Sequence, residues 1–310
     1  MRQTPLLILA YNRPDKVIGL IDRLREIRPD RVMVAVDGPK PGRPADERRV
    51  AEVHAALERI DWTSDVEVRL RPVNLGLRRA VVDAVDWAIG LHGQAVIIEE
   101  DVLPGPDFLD YMTGMLDRFR DDERVAHVSG YNVVPQDILT HTTGSRFTIY
   151  PESIAWATWD RAWATFDPEL TWARSCGLDE LAAITGSRTA ALRWKQNFSD
   201  AANERISTWA YRWIASMWSQ RSLIVSPNQN LVTYAGADDG THTNTEQAWI
   251  EQPVFTGDVE TLLTGEVAID ERAEEWLSRE VFHATPAGIA RGVAVSSVLA
   301  ARKLKRRLTA

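Results

Sequence analysis

Five short apolar runs punctuate the first ~130 residues, and each closes on a polar or Gly/Pro-bearing turn before an amphipathic stretch begins. LLILAY (Leu6 to Tyr11) ends at Asn12-Arg13-Pro14, after which Val17, Leu20, Ile21, Leu24 and Ile27 fall near helical spacing, with Asp15 in the first turn. RVMVAVDG repeats the pattern: a β-branched run, Asp37 at its end, a Gly/Pro loop, then a helix from about Ala45 to Ile60. VEVRLRPVNLGL predicts a third strand whose loop enters a helix over Leu77 to Leu91. AVIIEED is a fourth strand, PDFLDYMTGMLDRFRDD a helix with Pro106 in its first turn, and VAHVSGYN a fifth strand. Strands alternating with helices predict an α/β fold with a mostly parallel sheet flanked by helices and joined by right-handed crossovers.

Ligands of such sheets bind beyond the carboxyl ends of the strands. Those ends carry Asn12-Arg13, Asp37-Gly38, Asn74-Leu75-Gly76, Glu99-Glu100-Asp101 and Ser129 to Asn132, so one edge of the sheet is polar throughout. The first strand-helix turn has neither GxGxxG nor GxxxxGK[ST], which argues against a dinucleotide-binding protein or a P-loop NTPase. After Asn132 the pattern changes. IAWATWDRAWATF reads as helical, RWKQNFSDAANERISTWAYRWIASMWSQ continues a Trp ladder, and SLIVSPNQNLVTYAG reads as a strand and a turn. From about Ala268 the tail predicts two helices, the second ending in the basic run ARKLKRRL. There is no internal repeat and no low-complexity linker.

Composition narrows the function. The chain has 310 residues, formal net charge -8 and one cysteine, Cys176. The acidic balance gives no general attraction to nucleic acid. A single cysteine rules out an internal disulfide and a thiolate metal cluster, in keeping with a reducing, cytoplasmic setting. Twelve tryptophans are many, and eight lie between Trp156 and Trp218; such clustering fits a core and a pocket wall. Trp156, Trp159, Trp209 and Trp213 are also candidates to stack on a ligand ring.

The stretch that demands chemistry is AVIIEED, where four apolar residues run into three carboxylates. Adjacent anions repel, and alternation along a strand puts Glu99 and Asp101 on one side and Glu100 on the other. Hard oxygens at a strand end suit Mg²⁺ or Mn²⁺, which keep several waters and take further ligands from a phosphate.

Here the chain resembles a family. EEDVLPGPDFLDYM is similar to the metal-binding strand end of nucleotide-sugar glycosyltransferases of the GT-A fold, with their DxD-like motif. The likeness is to N-acetylglucosaminyltransferase I-like enzymes and to bacterial family 2-like sugar transferases of surface-polysaccharide synthesis, whose tryptophan and NLV stretches resemble SIAWATW and NQNLVTYAG. It spans roughly Leu6 to Thr243. It implies a GT-A domain over 1–245, with a nucleotide-binding half (1–132) and an acceptor half (133–245), followed by a helical extension with a basic tail (246–310). It also implies a metal-dependent, inverting transfer from a UDP-sugar or other NDP-sugar to a saccharide or lipid-linked acceptor.

Residue by residue, the resemblance assigns Asp101 to the metal, and Glu99 and Glu100 to ribose or metal-bound water. Arg13 and Asn74 fall at the nucleotide pocket, Asp37 at the uracil imide, and Arg78 near base and diphosphate, with Arg79 beside it. A carboxylate accepting an imide N–H and a guanidinium on phosphate are chemically sound. The expected catalytic Asp is missing: Ala210 and Tyr211 stand in its place. Asp200 and Glu204 are the candidate bases, with Asp160 and Glu152 as further ones. YAGADDGTHTN, from Tyr234 to Asn244, predicts a loop over the diphosphate with His242 as a second metal or phosphate contact. The tail with Arg302, Lys303, Lys305, Arg306 and Arg307 suits either a peripheral contact with an anionic membrane face or an ordinary packed helix. A catalytically inactive sugar-nucleotide or glycan-binding protein is the alternative.

Overall fold

A computed structural model of the chain describes residues 4–236 and 252–308, with side chains to residue 300. The strands are β1 (Leu6–Ala10), β2 (Arg31–Val36), β3 (Asp65–Leu70), β4 (Gln94–Glu99), β5 (Val102–Pro104), β6 (Val125–Ser129), β7 (Ser145–Thr148), β8 (Ala155–Trp159), β9 (Leu223–Pro227) and β10 (Val232–Tyr234). The helices are α1 (Pro14–Ile27), α2 (Pro44–Ala56), α3 (Leu77–His92), α4 (Phe108–Arg118), α5 (Asp160–Trp163), α6 (Thr171–Ser175), α7 (Leu178–Thr185), α8 (Arg188–Ala202), α9 (Ala210–Ser219), α10 (Glu260–Leu263), α11 (Glu271–Trp276) and α12 (Pro286–Leu308).

Eight strands form one sheet in the order β3-β2-β1-β4-β8-β6-β9-β7. β3, β2, β1 and β4 are parallel, β6 pairs parallel with β9, and β7 and β8 run the other way. All of β1 and nearly all of β2 and β4 are buried, as expected of a parallel sheet covered on both faces. The α1 start follows from Pro14 at its first position and Asp15 in its first turn, and Arg28 closes it in the left-handed region at φ 56°. These are the alternating units the hydropathy pattern predicts.

IAWATWDRAWATF departs from its expected helix. Ala155–Trp159 is β8, inserted antiparallel between β4 and β6, and only one helical turn, α5, follows. All five residues of β8 are buried. A strand buried on both faces shows no alternation, so its apolar run looks the same as that of a buried helix. SLIVSPNQNLVTYAG adds a second short strand, β10, which pairs antiparallel with β5 directly after the acidic triplet.

The C-terminal segment is bonded to the far edge of the sheet. Phe147 N donates to Ala268 O at 2.9 Å, and Asp270 caps α11 while accepting from Thr140 N at 2.7 Å. α12 lies along α8. No helix among the described residues is long and apolar enough to cross a membrane.

Candidate functional site

At the carboxyl edge of the sheet, the β1 and β4 exits meet. Arg13, which precedes α1, places Nη1 2.6 Å from Oδ2 of Asp101. Asp101 is 6% exposed, and its other oxygen, Oδ1, is buried with no hydrogen-bond partner among the described residues. A buried, orphaned carboxylate oxygen is costly unless a cation or donor supplies what is missing. β10 passes close by: Ala235 N donates to Asp101 O at 2.7 Å, and Lys16 Nζ donates to Ala235 O at 2.7 Å. Gly236 makes this approach possible, since a Cβ there would lie 2.3 Å from Asp101 Oδ2 and 2.6 Å from the Tyr234 ring. Glu99 and Glu100 are half-buried beside it. Burial first, and then the charges of Asp101 and Glu100, push Glu99 up to about 8; burial and Asp101 push Glu100 up to about 7.

Asp37, at the β2 exit, is 5% exposed and organises the neighbouring loop. Oδ1 accepts from Gly38 N and Leu75 N, each at 2.9 Å; Oδ2 accepts from Asn74 Nδ2 at 2.9 Å and Gly76 N at 3.1 Å. Asp37 and Asn74, each expected to contact the nucleotide, are bonded to one another. A carboxylate has about four acceptor directions and these bonds use them, so an imide contact would have to displace one. Gly38 is required by crowding: a Cβ would stand 2.4 Å from the Val73 carbonyl carbon.

Asp46 escaped sequence reasoning because an acidic residue in a first helical turn looks like ordinary dipole complementation. It is buried, and it takes hydrogen bonds from Tyr11 Oη at 2.5 Å, from Asn12 Nδ2 and from Lys40 N at 2.6 Å, tying the β1 and β2 exits together.

The other candidates separate. Arg78 pairs with Glu204 at 3.2 Å, and both line a cavity of about 480 Å³ with Arg79 and Arg212. Asp200 is bonded to Arg205 at 2.8 Å and to the Ser296 hydroxyl of α12; among the described residues, no hydrogen bond or ion pair links it to the strand exits. Asp160 is corrected by the β8 direction. Ala155 pairs with Ile98 at the carboxyl end of β4, but Trp159 pairs with Gln94 at the amino end, so Asp160 sits at the edge opposite the site. Trp156, Trp159, Trp209 and Trp213 are at most 3% exposed, which removes them as sugar-stacking platforms. Trp156 instead stacks on His127 at 5.1 Å and on Trp209 at 5.2 Å. His242, Asp238, Asp239 and Gly240 lie outside the described residues.

Glu152 remains on the correct edge, three residues before β8. Both of its oxygens are buried, with Nη2 of the buried Arg146 3.8 Å from Oε1; burial pushes the carboxyl up to about 7, against the opposing pull of Arg146 and the Ser129 and Ser226 hydroxyls.

Metal fit can be judged from the donors present. Among the described residues, no three His, Cys, Asp or Glu side chains converge into a complete cage. One buried carboxylate with a free oxygen suits Mg²⁺ or Mn²⁺ only when substrate phosphate and water complete the shell.

The fold and this edge define an α/β protein of mostly parallel sheet with an ionic cluster where such sheets bind ligands. No family model matches the chain, and no curated protein is significantly similar to it. Among solved structures it is similar to apo UDP-glucose pyrophosphorylase, with 9% identity and a TM-score of 0.36, over 75% of this chain and 93% of that one. A likeness that slight carries no argument about activity.

Proposed function

We propose that the chain is a GT-A glycosyltransferase that moves a sugar from a UDP-sugar, or another NDP-sugar, to a saccharide or lipid-linked acceptor. The observation that carries the reading is the Arg13–Asp101 pair with its orphaned Oδ1, held at the strand exits beside the Asp37–Asn74 loop. Asp101 would hold Mn²⁺ or Mg²⁺, which would supply Lewis-acid stabilisation of the leaving diphosphate. Arg13 offers a guanidinium to phosphate, and the loop ordered by Asp37 shapes the nucleoside side. Of the candidate bases, Glu152 lies on the correct edge with a carboxyl raised to about 7, and it takes the acceptor proton in this reading.

The alternative, a sugar-nucleotide-binding protein without turnover, is favoured by the engagement of Asp200 and Glu204 in ion pairs. Calorimetric titration of UDP, with GDP and dTDP as controls, into wild type and Asp101→Ala, with and without Mn²⁺, tests the donor site. UDP binding that needs both the metal and Asp101 is the expected result. No metal-dependent binding of any of the three nucleotides would remove the reading. Incubation with UDP-sugars then separates transferase from binder by release of UDP.

A further inference from the structure

A second cavity, of about 300 Å³, lies between α8 and the first half of α12, and none of its lining residues belongs to the strand-exit cluster. Two glycines one turn apart bring the chain this close. A Cβ on Gly292 would stand 2.3 Å from Nη1 of Arg193, and one on Gly288 would meet the His283 carbonyl oxygen at 2.1 Å. The guanidinium of Arg193 is fixed there by Nε donating to Phe282 O at 3.0 Å and Nη1 donating to Gln196 Oε1 at 3.3 Å. Arg291 opens onto the same space from α12.

The polar wall of this cavity is cationic and short of acceptors. Burial, then the charges of Arg193 and Arg291, hold His283 below its usual pKa, and Glu280 is the acidic group that opposes them. The carboxylate that lines the cavity, Asp200, is already taken by Arg205 and Ser296. Asn197, 5% exposed, keeps a buried Nδ2 with no hydrogen-bond partner among the described residues. An unmet buried donor is destabilising, and an acceptor-only anion would satisfy it. The other wall is apolar, formed by Ile206, Val295 and Leu299.

We propose that this cavity binds the phosphate end of an amphiphile, with the phosphate among Arg193, Arg291 and the Asn197 amide and the apolar portion along Ile206, Val295 and Leu299. Guanidinium groups and an amide N–H match phosphate oxygens, whereas inorganic phosphate alone would leave the apolar wall wet. The surroundings favour the same ligand. From Pro286 onward the chain carries six basic residues and no acidic one, although its net charge is -8. Val293 and Val298 are exposed on the same helix. A basic sequence with apolar positions attracts anionic amphiphiles. The inference is independent of nucleotide binding at the strand exits.

Titration calorimetry on the full chain with farnesyl phosphate, farnesol and inorganic phosphate, below the micelle concentration of the first, tests it. Farnesyl phosphate is expected to bind at least tenfold more tightly than either partial ligand. Arg291→Glu and Val295→Asp, both at exposed positions, should each weaken it tenfold or more with unchanged circular dichroism. Equal binding of farnesol would show an apolar cavity only, and equal binding of inorganic phosphate a free-phosphate site. Either result overturns the proposal, as does farnesyl phosphate binding that neither substitution alters. Flotation with phosphatidylcholine vesicles, with and without phosphatidic acid, then separates the sources. Flotation that needs phosphatidic acid and Arg291 assigns a bilayer lipid, and binding without flotation assigns a soluble amphiphile.

Discussion

Replacing Asp37 by Asn tests whether this residue organises the edge of the sheet. The two side chains have nearly the same shape, so packing is preserved and only acceptor capacity changes. Four donors converge on Asp37 at 2.9–3.1 Å, two per oxygen. In either amide orientation an Asn leaves two of them facing an NH₂ group. Hydrogen bonds to a charged group contribute about 1.5–3 kcal/mol each, and an unsatisfied buried donor costs about 1–3 kcal/mol. The two losses share one loop and will not add fully, so a destabilisation of about 3 kcal/mol is expected. Urea unfolding measures it, and amide exchange at Leu75 and Gly76 locates it. Asp65→Asn serves as control, because its pair with Arg31 at 2.8 Å is 39% exposed on the Asp side and should be worth under about 1 kcal/mol. If Asp37→Asn costs no more than the control, and Leu75 and Gly76 stay protected, the reading of Asp37 is wrong.

Three further outcomes are expected. Gly38→Ala pushes a Cβ into the backbone of Val73 and should cost more than about 2 kcal/mol in urea unfolding, whereas Gly236→Ala meets the side chains of Asp101 and Tyr234 and should cost less while abolishing Mn²⁺-dependent UDP binding. A Gly38→Ala protein as stable as wild type would refute the close-approach argument. Arg13→Ala leaves Asp101 buried without its guanidinium, so the metal-free protein should lose about 2–4 kcal/mol, and Mn²⁺ should restore more stability to the variant than it adds to wild type; equal Mn²⁺ effects would show that no cation replaces the guanidinium. Burial raises Glu152 and Glu274 to about 7 in the folded state, above the ordinary carboxylate range. The folded protein therefore holds protons that the unfolded chain has released, and stability is lost as pH rises through 7. Glu99 and Glu100 act in the same sense. Buried His127, depressed to about 3, has the opposite sign but acts only below its unfolded pKa near 6.5. Between pH 6.5 and 8.5 the urea midpoint should fall, less steeply in Glu152→Gln, and a midpoint that rises over that interval would contradict the burial of these carboxyls.

The first half of the chain was legible because its information is local. A parallel strand buried on both faces is a continuous apolar run, and its exit is marked by residues that cannot continue it, as at Asn12-Arg13, Asp37-Gly38 and Glu99 to Asp101. Asp46 was not legible, because its burial arises from Tyr11 and Lys40 rather than from its own helix.

What the sequence determined by itself was the α/β alternation, the polar edge and the position of the acidic triplet, since each follows from hydropathy and turn chemistry within a few residues. Tertiary structure alone decided that Ala155–Trp159 is a strand, which puts Glu152 at the site's edge of the sheet and Asp160 at the opposite one. It alone decided that Arg13 reaches Asp101 across 88 residues and that Asp200 belongs to the contact with α12. The physical reason is that strand direction, long-range charge pairing and burial depend on which distant segment supplies the neighbour, and no local periodicity encodes that choice.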